Sequence, residues 1–260
     1  MRLPGRVAIV TGGGGAMGGA QARLFAREGA AMVVADLFVE KAQAVARAIA
    51  ETDGRALAAR LDVQRGEEWA RVVAEAEAAF GPVSILCNNA GANFRVGFDA
   101  QTEEMWNTIL GTILTGAFLG IKAVVPSMRR AGGGVIMNLG SLASIRPGGG
   151  GPAYGAAKMG LVALTRAAAV SYAKENIRCL IVSPGHVDTP FIRANNPYSP
   201  NDPRTSIDNP ENYQRRLRNT PLGRLQTAED IARAVLFAVS DDAAMITGSM
   251  ITVDGGSALV

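Results

Sequence analysis

One histidine and two cysteines in 260 residues leave little room for metal or disulfide chemistry. A single imidazole, His186, builds no histidine-based metal site, and no metal is expected. Cys87 and Cys179 each lie inside an apolar run, SILCNN and IRCLIV, the setting of reduced thiols in buried strands and not of a disulfide framework. No stretch approaches about 18 uninterrupted apolar residues, and the opening MRLPGRVAIV lacks a cationic segment followed by a long apolar core. A cytoplasmic protein with no membrane association is the expectation. Strong charge is missing as well: the net charge is +3 and the pI about 9.1, too mild and scattered for a nucleic-acid partner. The arginines at Arg215, Arg216 and Arg218 read as the solvated face of a helix. Neither a linker rich in proline or charge nor a repeat of fixed period divides the chain, so one domain is expected, its core built from the 48% of residues that are hydrophobic.

What is present is an alternation of short apolar runs with segments of helical period. That pattern predicts βαβ units and a parallel sheet covered on both faces, an α/β doubly wound fold. The first run, RVAIVT, is followed at once by GGGGAMGGA and then a helix through Glu28. A glycine turn between strand and helix lets backbone approach a pyrophosphate, and the helix N-terminus adds free N–H groups and positive dipole. The second run, AMVVAD, ends in Asp36, where an acid accepts hydrogen bonds from the adenosine ribose and repels a 2′-phosphate. With no Arg or Lys in the turn or directly after Asp36, NAD(H) is favoured over NADP(H). A third run closes at Asp62, placed for an adenine amino group, and a fourth carries Asn88, Asn89, Ala90 and Gly91 at its end. One long helix is expected from about Glu103 to Arg130.

The chemistry centres on GSLASIRPGGGGPAYGAAK, residues 140–158. Helical residues after Pro152 put Tyr154 and Lys158 one turn apart on one face. A nearby cation favours the phenolate and makes a Tyr a usable general acid/base, and Ser141 can donate to the oxygen that gains or loses the proton. Residues from about 190 to 221, dense in Pro, Asn and Asp, read as a lid or binding loop.

Taken together, Thr11-Gly12 with Gly18, Asp36, Asp62, Asn88-Asn89-Ala90-Gly91, Ser141, Tyr154 with Lys158, Pro184-Gly185 with Thr189, and Asp254-Gly255-Gly256 make a specific set. Over essentially its whole length the chain resembles the short-chain dehydrogenase/reductase family of the classical type. The resemblance implies a Rossmann-type sheet of seven parallel strands, a bound nicotinamide dinucleotide and a homotetramer. It also implies Tyr154 as acid/base, Lys158 lowering its pKa and holding the nicotinamide ribose, Ser141 positioning the substrate oxygen, and Thr189 at the carboxamide. Cofactor contacts are expected from Gly12, Ala16, Met17 and Gly18, from Asp36 and Leu37, from Asp62 and Val63, from Asn89, Ala90 and Gly91, from Tyr154 and Lys158, and from Pro184, Gly185, Val187 and Thr189. The three-residue gap between Tyr154 and Lys158 sets the chain apart from enoyl-thioester reductases of the family, which space that pair further apart.

Two departures stand out. Ala16 occupies the usual place of a second glycine, a small change. Ile113 occupies the place of an Asn that, in the family, supports a helix kink and a proton-carrying water, so a relay must use backbone and water, Thr112 or Thr115, or be absent. The substrate pocket is expected to take Ser141, Ile145, Tyr154, His186, Phe94 and Phe191, with Tyr198 from the lid, and to suit an apolar or cyclic small molecule without a charged clamp. Arg146 reads as solvated, the alternative being recognition of an acidic group. The expected activity is NAD(H)-dependent interconversion of a secondary alcohol and a ketone; the alternative is a dinucleotide-binding scaffold or sensor with impaired catalysis, motivated by Ile113.

Overall fold

The computed structural model describes residues 1–146, 150–193, 200 and 204–260. Seven strands, β1 (Val7–Thr11), β2 (Ala31–Asp36), β3 (Ala56–Arg60), β4 (Ile85–Asn88), β5 (Gly134–Leu139), β6 (Ile177–Pro184) and β7 (Met250–Val253), form one parallel sheet in the order β3-β2-β1-β4-β5-β6-β7. Every residue of β1, β4 and β5 is buried, because a central parallel strand is covered on both faces and so reads as an unbroken apolar run.

Side-chain alternation divides those strands between two cores. On one face Val10, Met32, Val34 and Cys87 meet α1 (Ala16–Arg27), α2 (Val39–Ala50) and α9 (Ala228–Val239) through Phe25, Val45, Ile49, Ile231 and Val235. On the other, Ile9, Val33, Leu86 and Ile136 meet α3 (Gly66–Phe80), α5 (Gly116–Arg130) and α6 (Pro152–Tyr172) through Trp69, Val72, Val124, Met128 and Ala168. Chain order reverses between β1 and β4: β2 lies on one side of β1 and β4 on the other. A crevice opens there, beyond the carboxyl ends of the strands.

The expected helix from Glu103 to Arg130 is continuous but not regular: between α4 (Glu103–Leu110) and α5 lies a π-helical turn, Gly111–Thr115, in which the Gly116 N–H donates to the Gly111 carbonyl. By length and composition this 28-residue span is apolar enough to cross a membrane. Here Ile121, Val124, Val125 and Met128 are spent against the sheet. A buried polar chain ties the sheet to α6: Asn88 Nδ2 donates to Asn138 Oδ1 at 2.8 Å, Asn138 Nδ2 donates to Thr165 Oγ1 at 2.9 Å, and Thr165 Oγ1 donates to the Leu161 carbonyl at 2.6 Å. The third strand stops at Arg60, two residues before Asp62. Asp62 instead begins a turn, its N–H donating to the Glu68 carboxylate at 2.8 Å and its Oδ1 accepting from the Gln64 N–H at 3.0 Å. The 190–221 segment contains α7 (Pro190–Arg193) and α8 (Pro210–Arg218); Tyr198 lies outside the described residues.

Candidate active site

A cleft of about 1670 Å³ runs along the carboxyl ends of the strands. Its first half starts at the glycine turn. Gly12 has φ +61°, a left-handed conformation that glycine adopts without strain, and a Cβ on Gly18 would lie 2.3 Å from the Gly12 carbonyl oxygen. Only glycine fits at both. The α1 N-terminus carries neither a capping side chain nor an acid in its first turn, so its N–H groups and positive dipole face the cleft uncompensated. Thr11 and Asn89 hold this turn against β4. Thr11 Oγ1 accepts from the N–H groups of Asn89 and Ala90, both at 3.0 Å, and Asn89 Nδ2 donates to the Thr11 carbonyl at 3.0 Å. Asp36 at the end of β2 is oriented by the Gly14 and Phe38 N–H groups at 2.9 and 3.0 Å. These features fit a dinucleotide: backbone space and donors for a pyrophosphate, and a fixed carboxylate one strand away for a ribose.

Gly12, Ala16, Met17, Gly18, Asp36, Leu37, Asp62, Val63, Asn89, Ala90, Gly91, Pro184, Gly185, Val187 and Thr189 all line this cleft, as do Tyr154 and Lys158. Asn88 does not; its amide is turned inward to Asn138. At the sheet's middle, Ser141 follows β5 and opens a short 3-10 turn, its Oγ accepting from the Ala143 N–H at 3.2 Å. Pro152 starts α6, so Tyr154 lies in its first turn and Lys158 one turn on. The Lys158 Nζ lies 5.5 Å from the Tyr154 ring centroid and donates to the Leu139 carbonyl at 2.5 Å. Burial of the ammonium pulls its pKa down to about 7.

The Tyr154 ring is half-buried and its hydroxyl enclosed. Burial raises the hydroxyl's pKa, and two neighbours pull it back, the Ser141 hydroxyl by hydrogen bonding and Arg95 by its charge. The spacing of Tyr154 and Lys158 pointed to the lysine as the cation that lowers this pKa; in the structure the charge that pulls it down is that of Arg95, from a loop 59 residues upstream in the sequence. Lys158 is buried, displaced toward its neutral form and turned to the Leu139 carbonyl, and the hydroxyl's pKa stands raised.

The substrate end differs from expectation in three respects. Phe94 is absent from the cleft lining because it packs on the apolar cluster of Ile109, Ile113, Ala157 and Leu161. Ile145 is also absent, standing 41% exposed on the outside of the turn after Ser141. Ser141, Tyr154, His186 and Phe191 do line it. The third respect is charge. Arg95 is half-buried, its guanidinium over the Phe191 ring at 5.2 Å and donating to the Phe191 carbonyl at 3.1 Å. Arg216 is half-buried on α8, facing the cleft instead of forming part of a solvated helix face; Arg215 and Arg146 line the cleft too, whereas Arg218 is exposed and outside it. Burial lowers the Arg95 pKa to about 10, and Arg216 adds to the shift. Burial, with Arg216 and Arg146 beside it, brings His186 down to about 4, so its imidazole is neutral at pH 7. Sequence reasoning passed over Arg95. The available signal was its place four residues past Gly91 in the loop after β4, which does not separate a cleft arginine from a solvated one.

Ile113 is 2% exposed, wedged between α4 and α6. Thr112 lines the cleft and Thr115 is exposed to solvent, so of the two hydroxyls only Thr112 faces the site.

A family model described as enoyl-(acyl carrier protein) reductase matches residues 14–258. The 2,5-dichloro-2,5-cyclohexadiene-1,4-diol dehydrogenase of Sphingobium indicum is 37% identical over 98% of this chain and 97% of its own length. The cis-4-hydroxycyclohexanecarboxylate dehydrogenase of Sinomonas cyclohexanicum is 36% identical over 96% of each chain. A crystal structure from Burkholderia xenovorans, classed with the short-chain dehydrogenases/reductases, superposes with a TM-score of 0.88 at 34% identity, covering 100% of this chain and 98% of that one. With its glycine turn, Asp36 and the Ser141, Tyr154 and Lys158 set on one such sheet, the chain is an oxidoreductase that belongs to the short-chain dehydrogenase/reductase family.

Proposed function

We propose that the chain interconverts a secondary alcohol on an aliphatic ring and the corresponding ketone, using NAD(H). The observation that carries this is the enclosed Tyr154 hydroxyl, hydrogen-bonded to Ser141 with Lys158 one helical turn away, at the inner end of a cleft whose outer end carries Asp36. The ring preference rests on the relatives, whose names specify a cyclohexadiene diol and a hydroxycyclohexane carboxylate. In reduction the Tyr154 hydroxyl gives its proton to the substrate carbonyl oxygen as the carbonyl carbon takes up hydride; in oxidation Tyr154 first loses that proton and then takes the proton of the substrate hydroxyl as its carbon gives up hydride. The Ser141 hydroxyl donates to the substrate oxygen and holds it at hydrogen-bond distance from Tyr154. When bound, the dinucleotide supplies the hydride acceptor. Gly12, Ala16, Met17 and Gly18 seat the pyrophosphate, Asp36 and Leu37 the adenosine ribose, Asp62 and Val63 the adenine, and Pro184, Gly185, Val187 and Thr189 the nicotinamide carboxamide. Proton escape uses the backbone, water and the Thr112 hydroxyl, because Ile113 has no polar atom.

The preference for NAD(H) is supported by the fixed Asp36 carboxylate, which repels a 2′-phosphate, and by Lys41 of the cleft lining being turned onto Phe38, its Nζ 4.8 Å from the ring centroid. The 190–221 segment acts as the substrate lid, and the protein works in the cytoplasm as a homotetramer. Absorbance assays with NAD and NADP over a panel beginning with cyclohexanol test the reading. Tyr154→Phe is expected to lower turnover by about 10²–10⁴-fold, with NAD affinity nearly intact by fluorescence titration. Persisting turnover in that variant overturns the assignment of the base.

A further inference from the structure

Six buried side-chain atoms among the described residues have no hydrogen-bond partner, and one of them, Asn93 Oδ1, belongs to a residue that lines the cleft. Asn93 is 2% exposed and stands two residues past Gly91, in the loop that leaves β4. Buried amides are almost always paired, and an unpaired one costs free energy that a ligand's hydrogen bond returns. Two glycines fix its place. Gly150 and Gly151 have φ +93° and +94°, which glycine adopts without strain, and they bring the loop after β4 against the start of α6. A Cβ on Gly151 would lie 2.6 Å from the Val96 carbonyl oxygen. One on Gly150 would lie 2.6 Å from Asn93 Nδ2 and 2.8 Å from Tyr154 Cδ1, so the amide and the Tyr154 ring flank a single glycine. A turn about the last side-chain torsion of Asn93 breaks no bond of its oxygen and points it at a donor in the cleft.

We propose that Asn93 is a substrate-binding residue that sets specificity: its amide oxygen accepts a hydrogen bond from a hydroxyl on the carbon next to the one that Tyr154 and Ser141 address. The preferred substrates are then vicinal hydroxy ketones and the diols they interconvert with. This rests on the alcohol-dehydrogenase reading for the reacting group and on the orphaned amide alone for the second contact. Because the amide flanks the same glycine as the Tyr154 ring, it meets a group near the reacting carbon and not one across a six-membered ring. It takes no part in hydride or proton transfer. Ser141 and Tyr154 hold one oxygen and Asn93 the other, and a molecule held at two oxygens presents one face of its carbonyl to the nicotinamide.

Two measurements on the full chain separate the contact from the chemistry. Titration calorimetry on the NADH complex, in which an alcohol cannot be oxidised, compares trans-cyclohexane-1,2-diol with trans-2-methoxycyclohexanol, which keeps the carbinol and lacks the second donor. The diol is expected to bind about tenfold tighter. NADH-dependent reduction of 2-hydroxycyclohexanone against 2-methoxycyclohexanone is expected to favour the hydroxy ketone in kcat/KM by a similar ratio and to give one diol diastereomer in excess. Asn93→Leu, or Asn93→Ala if the larger side chain does not fold, removes the ratio and evens the diastereomers. Equal binding of diol and ether overturns the proposal. So does a preference that survives in the variant, because the bulk of the methoxy group and not the amide then causes it. Equal kcat/KM for the two ketones also overturns it and leaves the dehydrogenase reading standing. A binding preference that the variant loses, with neither ketone reduced, supports the contact and sinks the dehydrogenase reading.

Discussion

At the scale of single residues the site is governed by what burial does to ionisable groups. The Lys158 ammonium, the Arg95 guanidinium and the His186 imidazole are all displaced toward their neutral forms, and Tyr154 is held protonated against the pull of Ser141 and Arg95. His186 has a consequence for stability. Its folded pKa, about 4, lies below the ordinary 6.5, so between those values the unfolded chain binds a proton that the folded one refuses. Stability contributed by keeping this histidine neutral is present above pH 6.5 and is lost as pH falls toward 4. His186→Asn is expected to melt with a shallower dependence on pH across that window than the unsubstituted protein. A constant difference in melting temperature between pH 7 and pH 4.5 would show that the histidine is not held neutral.

Among the elements, the π-turn between α4 and α5 carries the most information. Such turns widen a helix locally and are common at functional sites. This one forms around Ile113 and not around an amide, so the irregular helix geometry persists without the Asn side chain, and Ile113 bears on the proton relay alone. Ile113→Asn puts an amide into the cluster of Ile109, Ala157 and Leu161. It is expected to cost about 1–3 kcal/mol in urea denaturation and to change the pH profile of turnover. An unchanged profile argues against a proton path beside residue 113. The chain from Asn88 through Asn138 to Thr165 is the second such device, fixing α6, and with it Tyr154 and Lys158, to the sheet. Asn138→Ala leaves the buried Asn88 amide without its acceptor, while Thr165 keeps its bond to the Leu161 carbonyl, and should cost about 1–3 kcal/mol. A variant as stable as the parent in denaturant would mean that α6 is held by apolar packing alone.

At the level of the whole molecule, the outer faces of α5 and α6 expose Phe118 and Val170, the latter 82% accessible. On α6 Val170 shares its exposed side with Ala156, Met159, Ala163 and Ala167 at helical spacing, and an apolar patch of that kind marks a place where copies meet. The proposed homotetramer should elute with four times the chain mass in light scattering, and Val170→Glu should shift it toward smaller species. A single-chain mass for the unsubstituted protein removes the proposal.

The fold was legible because its signals are local. The unbroken apolar runs of β1, β4 and β5 can only be central parallel strands, and a glycine turn between strand and helix has few other uses. Tyr154 and Lys158 were legible for the same reason, one helical turn being a fixed distance in sequence. The sequence by itself thus determined the sheet, the glycine turn with Asp36 beside it, and the one-turn spacing of Tyr154 and Lys158. Tertiary structure alone decided which arginines turn inward, that Phe94 and Ile145 turn away, and that Asn138 links β4 to α6. The Arg95–Phe191 contact and the Asn88–Asn138 bond each join segments 50 or more residues apart in the sequence. Side-chain direction there is set by packing partners that no short stretch of sequence contains.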